Sequence, residues 1–184
     1  WSLEQQGVEA AGVVADSGVL NEAWIDAVAA QGVSCPGAAG QWVANHDRIV
    51  ARLHPDLVDP ANEPDRLVGS GRLTVPVLAI WSHADPYSCG GATMTCPLPD
   101  GSTATLTAAD CQHEPLRRAI SAEGPPSRSL ALGVCVRRAG APAGTCGGHY
   151  VTGTNGTNTD PAGPADYNAA VMAWVHDRMA DDAD

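Results

Sequence analysis

Residues 73–86, which read LTVPVLAIWSHADP, decide the fold. The stretch opens as a continuous apolar run and ends, within three residues, in a carboxylate followed by a proline. A run without polar alternation is typical of a strand buried on both faces, as in a parallel sheet with helices on either side. Asp85 then falls just past the carboxyl end of the strand, where ligands bind in open α/β sheets. Pro86 favours an extended backbone at Asp85, which holds the carboxylate on a stiff corner.

Strand and helix patterns alternate on both sides of this stretch. Such alternation predicts parallel strands joined by right-handed crossovers, and hence an α/β fold with a parallel-strand sheet flanked by helices in one domain, residues 1–184. The predicted strands besides 75–81 are 8–14 and 129–137, and a hairpin at 93–107, flanked by cysteines, forms an insertion. The predicted helices are 20–30, 41–53, 114–122 and 165–179, with an irregular connection at 54–72 that has room for one short helical turn, and a long loop at 138–164.

Composition excludes several classes of partner. Hydrophobic residues make up 44% of the 184 residues and charged ones 17%, which fits a folded globular protein. The net charge of −11 repels phosphate backbones, so no nucleic-acid partner is expected. Anionic membrane surfaces are disfavoured for the same reason, and no apolar run reaches the roughly 20 residues that span a bilayer.

The six cysteines indicate disulfides in an exported protein. None of them forms a C-x-x-C pair, and Cys111-Gln112-His113 alone approaches the close ligand spacing of zinc sites. Six cysteines allow many pairings. Our hypothesis pairs Cys96 with Cys111 and Cys135 with Cys146, each closing a short loop, which leaves Cys35 with Cys89.

Asp85 and His149 are the candidate catalytic residues. Each follows a predicted buried strand, and consecutive strands of such a sheet tend to be neighbours, so both loops are expected at the same edge. A carboxylate that accepts a hydrogen bond from a histidine ring fixes its tautomer and leaves the other ring nitrogen to take a proton from a nucleophile. Gly147 and Gly148 let the backbone turn tightly and bring the ring close.

These stretches resemble the later part of the α/β-hydrolase fold. Residues 75–86 look like its late strand and acid turn, and GGH at 147–149 with residues 166–175 looks like its histidine loop and last helix. GVVADSG at 12–18 is similar to the strand that precedes them. The resemblance implies the C-terminal half of that fold, with Asp85 as the triad acid and His149 as the general base.

Two departures from the family pattern concern the turn and the nucleophile. Ser82 and His83 stand where the family usually has a glycine before the acid. The nucleophile elbow G-x-S-x-G is absent from the sequence. In the family the nucleophile precedes both the acid and the histidine. We therefore expect the nucleophile and the oxyanion-hole loop to lie upstream of Trp1, and the chain alone to be inactive.

Other residues compete for these roles. Asp16 is the rival acid because it also ends a predicted strand, although Asp16-Ser17 equally suits a helix N-cap. Ser17 is a weak nucleophile candidate, since no glycine stands two residues before it. His83 and Tyr87 flank the acid turn, where they line a cleft or lie on the loop surface. His113 and His176 are expected on the surface, and Trp24, Trp42 and Trp174 in the core.

The expected function is therefore serine-type hydrolysis of a small or polymeric ester, or of a related acyl compound, by a secreted enzyme without a cofactor or metal. The alternative is a non-catalytic, disulfide-stapled binding module in which His149 has no chemical role. An exposed sheet edge is expected to be covered by the upstream half or by a second chain.

Overall fold

The computed structural model describes residues 10–16, 22–50, 52, 63–122, 129–137, 140–143, 145–149 and 167–181. The strands are β1 (Val13–Asp16), β2 (Val77–Ser82), β3 (Thr93–Pro97), β4 (Thr103–Thr107) and β5 (Leu130–Val134). The helices are α1 (Glu22–Ala30), α2 (Gly37–Val50), α3 (Pro64–Gly69), α4 (Ala108–Ser121) and α5 (Tyr167–Asp181), with a 3₁₀ turn at Pro86–Ser88.

A three-stranded parallel sheet forms the centre, in the order β1-β2-β5. Asp16 of β1 pairs in register with Ile80 of β2, and Ser82 of β2 pairs with Val134 of β5. The carboxyl ends of β2 and β5 are therefore side by side. This arrangement confirms the α/β class and the parallel sheet that the sequence predicts.

Strand β2 is buried along its whole length because helices cover both faces of the sheet. Its even-numbered residues, Leu78 and Ile80, pack with Trp174 of α5. Its odd-numbered residues pack against α3 and α4, where Ala79 shares a cluster with Leu116. A polar side chain on either face would lie in a core, so residues 77–81 are apolar throughout, and Ser82 is the polar residue at the carboxyl end of the strand.

The hairpin β3–β4 belongs to a separate apolar cluster. Met94 and Cys96 from the hairpin pack with Trp24 and Val28 of α1. The Trp24 indole also donates a 2.7 Å hydrogen bond to the carbonyl of Ala108, at the start of α4. The predicted hairpin is therefore confirmed, and α4 joins it to the central sheet.

The three predicted disulfides are confirmed, and all six cysteines are bonded. They are Cys35–Cys89, Cys96–Cys111 and Cys135–Cys146. Disulfides persist in oxidising environments, which is consistent with an extracellular location.

Two helices begin earlier than the sequence pattern predicts. Helix α4 begins at Ala108 rather than at 114, because the Thr107 side chain accepts a hydrogen bond from the amide of Asp110 and caps the helix. Pro115 then lies inside α4 instead of near its start. Helix α2 begins at Gly37 rather than at 41.

Within the described part of the chain, no helix combines the length and apolar character needed to cross a bilayer.

Candidate active site

The turn after β2 holds Asp85 with its carboxylate withdrawn from solvent. The Asp85 carbonyl accepts hydrogen bonds from the amides of Ser88 (3.0 Å) and Gly90 (2.7 Å), which makes the turn compact. Its Oδ1 accepts a 2.8 Å bond from the Tyr87 amide, and Pro86 begins the 3₁₀ turn. Asp85 is 0% exposed. A buried carboxylate needs such donors to offset its lost hydration.

The chain leaves β5 and returns to it just before His149. The carbonyl of Val136 accepts hydrogen bonds from the amides of both Gly147 and Gly148, each at 2.9 Å. A Cβ on Gly148 would collide with the Val136 side chain, so this close return needs a glycine. The long loop therefore delivers His149 to the carboxyl end of β5.

Disulfides tie both loops to the scaffold. Cys135–Cys146 spans the return of the chain three residues before His149. Cys35–Cys89 links the acid turn to the segment before α2. Cys89 has a left-handed backbone with φ of 62°, which is uncommon for a residue with a side chain. The covalent link holds the turn in this conformation.

The two loops bring Asp85 and His149 into contact. His149 Nδ1 lies 2.7 Å from Asp85 Oδ2, and the two side chains are 20% and 0% exposed. When Asp85 is ionised, Nδ1 must carry the proton in order to donate it, and a neutral ring then has its lone pair on Nε2. The predicted meeting of these residues at one sheet edge is confirmed, while their catalytic role stays a prediction.

Tyr87 covers part of the His149 ring. The two ring centroids lie 4.4 Å apart with the planes inclined by 51°. Tyr87 is 56% exposed, so its remaining surface stands in solvent beside the imidazole. Its position in the same turn as Asp85 places an aromatic ring next to the dyad, and the choice between a cleft wall and loop surface for this residue stays open.

A second imidazole–carboxylate pair lies beside the acid turn. His83 Nδ1 is 2.6 Å from Oδ1 of Asp110, which also accepts a 2.8 Å bond from the Trp81 indole. Burial raises the pKa of the Asp110 carboxyl, but the hydrogen bonds from His83, Trp81 and Thr107 outweigh it, so the pKa lies below its ordinary value. Sequence reasoning missed Asp110, although the T-x-x-D spacing from Thr107 to Asp110 is a capping signal.

His113 is buried in α4, so the prediction that it lies on the surface is wrong. It is 1% exposed, its ring stacks on Trp81 at 5.1 Å between centroids, and its Nδ1 lies 2.9 Å from the carbonyl of Ala109. Burial lowers the pKa of His113 to about 4. The ring is therefore neutral near pH 7. His176 is exposed and Trp24 is buried, as predicted.

The structure describes the backbone of the rival acid, Asp16, but not its side chain. Asp16 ends β1, and Ser17 lies outside the described residues. Asp16 pairs in register with Ile80, which puts its backbone one strand away from β5. The structure thus gives a partner for His149 at Asp85, and the choice of Asp16 is not supported by a described contact.

A cavity of about 620 Å³ lies between α3, the hairpin turn and α4, and its lining includes Asp65, Arg66 and Arg118 but neither Asp85 nor His149. Desolvation raises the pKa of Asp65 there. Among the residues that the structure describes, no three His, Cys, Asp or Glu side chains converge as a metal site would require. The site geometry therefore centres on the Asp85–His149 pair.

Comparisons with protein-family models, with curated proteins and with solved structures gave no match to this chain.

Proposed function

We propose that the protein is a serine-type hydrolase of ester or related acyl bonds, in which His149 is the general base and Asp85 is the triad acid. The observation that supports this most directly is the 2.7 Å contact between His149 Nδ1 and the buried Asp85 Oδ2. It lies at the carboxyl edge of a parallel sheet, which is where open α/β sheets carry their sites.

The proposed roles follow from the environments of the two side chains, a buried Asp85 carboxylate and a partly exposed His149 ring. A buried carboxylate stabilises the imidazolium that forms when Nε2 accepts a proton, because the pair is poorly screened by water. The same contact holds the ring in one tautomer and one orientation. His149 would take the proton of an attacking hydroxyl and return it to the leaving alcohol. No step in this scheme calls on a cofactor.

The resemblance to the α/β-hydrolase fold supports the same roles. In that pattern a nucleophile elbow precedes the acid and the histidine along the chain. Since the sequence contains no G-x-S-x-G, we propose that the serine comes from polypeptide outside the 184 residues. Among the described strands, β1 pairs with β2 alone. The other side of β1 is where we propose that a strand of the missing half, or a second chain, would pair.

We further propose that the enzyme is exported. A disulfide anchors each of the two segments that carry the dyad, and an oxidising environment would preserve these bonds. Ester-containing molecules, small or polymeric, are the proposed substrates. Nucleic acid is not among them, because the net charge of −11 opposes phosphate binding.

Hydrolysis of chromogenic short-chain esters tests the proposal. The protein to use is the full product of the reading frame, including whatever precedes Trp1. His149→Ala should lower kcat/KM by about 10³- to 10⁴-fold, because the nucleophile loses its base. His176→Ala is the matched control, since this histidine is exposed on α5. Unchanged activity of His149→Ala, or no ester cleavage by the full product, would favour the non-catalytic binding module.

A further inference from the structure

The His83–Asp110 pair adjoins the turn that carries Asp85 and connects it to α4. His83 lies two residues before Asp85, and Asp110 lies in the first turn of α4. The pair is separated by 2.6 Å, with side chains that are half-buried. The turn between β2 and Asp85 is thus connected by a side chain to helix α4.

The backbone of the same turn is fixed at two further points. The His83 amide donates a 3.0 Å bond to the carbonyl of Val134, the last residue of β5. The His83 carbonyl lies 2.9 Å from the hydroxyl of Thr107, which caps α4. His83 is therefore bound to β5 and to α4 at once, and its position determines where the chain enters the Asp85 turn.

Asp110 is itself held firmly. Its Oδ1 receives the Trp81 indole hydrogen in addition to the contact with His83. Its Oδ2 lies 2.9 Å from the Thr107 hydroxyl, whose single hydrogen goes either to Oδ2 or to the His83 carbonyl. An ionised carboxylate with this many donors makes strong hydrogen bonds, about twice the strength of neutral ones. Asp110 is therefore a fixed point to which Trp81 and His83, two residues apart on β2 and its turn, both attach.

Gly133 of β5 provides the space for this arrangement. A Cβ on Gly133 would lie 2.5 Å from Cε1 of His83, closer than real side chains approach each other. The imidazole thus lies directly over the backbone of β5. A larger residue at position 133 would displace His83 from Asp110, which gives an independent way to perturb the pair.

We propose that His83 and Asp110 are positioning residues, which hold the Asp85 turn so that Asp85 Oδ2 meets His149 Nδ1. The catalytic meaning of this role rests on the proposed hydrolase function. The effect of the pair on the contact between Asp85 and His149 does not depend on that function, because this contact lies within the 184 residues themselves. Neither His83 nor Asp110 is assigned contact with a substrate.

The test is the solvent-exchange rate of the His149 Nδ1 proton, measured by nuclear magnetic resonance on the ¹⁵N-labelled 184-residue chain. His83→Ala should speed this exchange by roughly tenfold, because the turn loses its tie to α4 and the hydrogen bond opens more often. His83→Gln should restore slow exchange, since its amide can still donate to Asp110. Asp110→Ala, which removes the acceptor, and Gly133→Ala should act in the same direction as His83→Ala.

Asp100→Asn is the matched control. Asp100 is exposed in the hairpin turn, where it binds Ser102 and Arg118, and it should leave the exchange unchanged. If His83→Ala has no effect while the wild-type proton is protected, the positioning role is overturned and the dyad stands. If the wild-type proton is not protected at all, the dyad and the positioning role both fail. If His83→Ala does not fold, Asp110→Ala and Gly133→Ala decide in the same way.

Discussion

A carboxylate withdrawn from water stays ionised only if donors replace its hydration, and Asp85 meets this condition through short-range and long-range contacts. The Tyr87 amide is supplied by the turn itself, two residues away. His149 is supplied from 64 residues away. The first contact follows from local sequence, whereas the second requires the tertiary fold. With Asp85 ionised, the contact with His149 places the proton of a neutral ring on Nδ1.

The protonation of one residue, His113, should make the free energy of unfolding depend on pH. Its pKa of about 4 in the folded state lies below the ordinary 6.5. Between these values the unfolded chain binds a proton that the folded chain does not, so stability should fall as the pH falls from 6.5 to 4. The loss should reach about 3 kcal/mol at the acid end.

Urea unfolding of the wild type and of His113→Gln across this pH range is the measurement. The variant should be less stable near neutral pH, because it loses the ring stacked on Trp81. Its free energy of unfolding should, however, fall less steeply than that of the wild type as the pH is lowered towards 4. His176→Gln, on the exposed face of α5, should decline as the wild type does. An equally steep decline in His113→Gln would show that another group titrates.

At the scale of helices and strands, sequence-based prediction succeeded where a single pattern of apolar residues covered the element. Residues 77–81 of β2 are apolar on both faces because helices cover both, so this strand was predictable. Strand β1 runs from Val13 to Asp16 rather than over the predicted 8–14, so its bounds were not. The start of α4 was not, because Thr107 ends a strand and caps a helix at once. Asp110 could not be assigned to the site from sequence, since only packing places α4 beside the acid turn.

The return of the chain to β5 predicts a selective effect of Gly148→Ala. The added methyl group would collide with Val136, so we expect the loop to shift, with a loss of about 1–3 kcal/mol of stability. His149 should then lose its contact with Asp85. Gly91→Ala is the matched control, because a Cβ there meets Ala84 at an ordinary 3.7 Å. Chemical denaturation gives the free energies, and an innocuous Gly148→Ala would contradict the packing described here.

At the scale of the whole molecule, two apolar clusters on the faces of the sheet and a third under the hairpin are joined by α4 and by disulfides. The cysteine pairing was predictable because two of the pairs close short loops, and the remaining two cysteines, Cys35 and Cys89, then pair with each other. The hydrolase assignment stays a prediction, because the sequence supplies an acid and a base but no nucleophile motif.

The disulfides should contribute unequally to stability. Cys35 and Cys89 are 54 residues apart, and Cys135 and Cys146 are 11 apart. Because a longer closed loop restricts the unfolded chain more, removing the first pair should cost about 4 kcal/mol and the second about 3 kcal/mol. Double alanine variants compared by urea unfolding give this order. The reverse order would show that native contacts, rather than loop closure, set the contribution.

The most direct test of the dyad is the tautomer of His149, read from the ¹⁵N chemical shifts of its two ring nitrogens at neutral to mildly alkaline pH. Asp85 should hold the proton on Nδ1 and leave Nε2 unprotonated, and Asp85→Asn should abolish that preference. A wild-type ring with its proton on Nε2, or one that averages between both tautomers, would contradict the role of Asp85 and with it the proposed base.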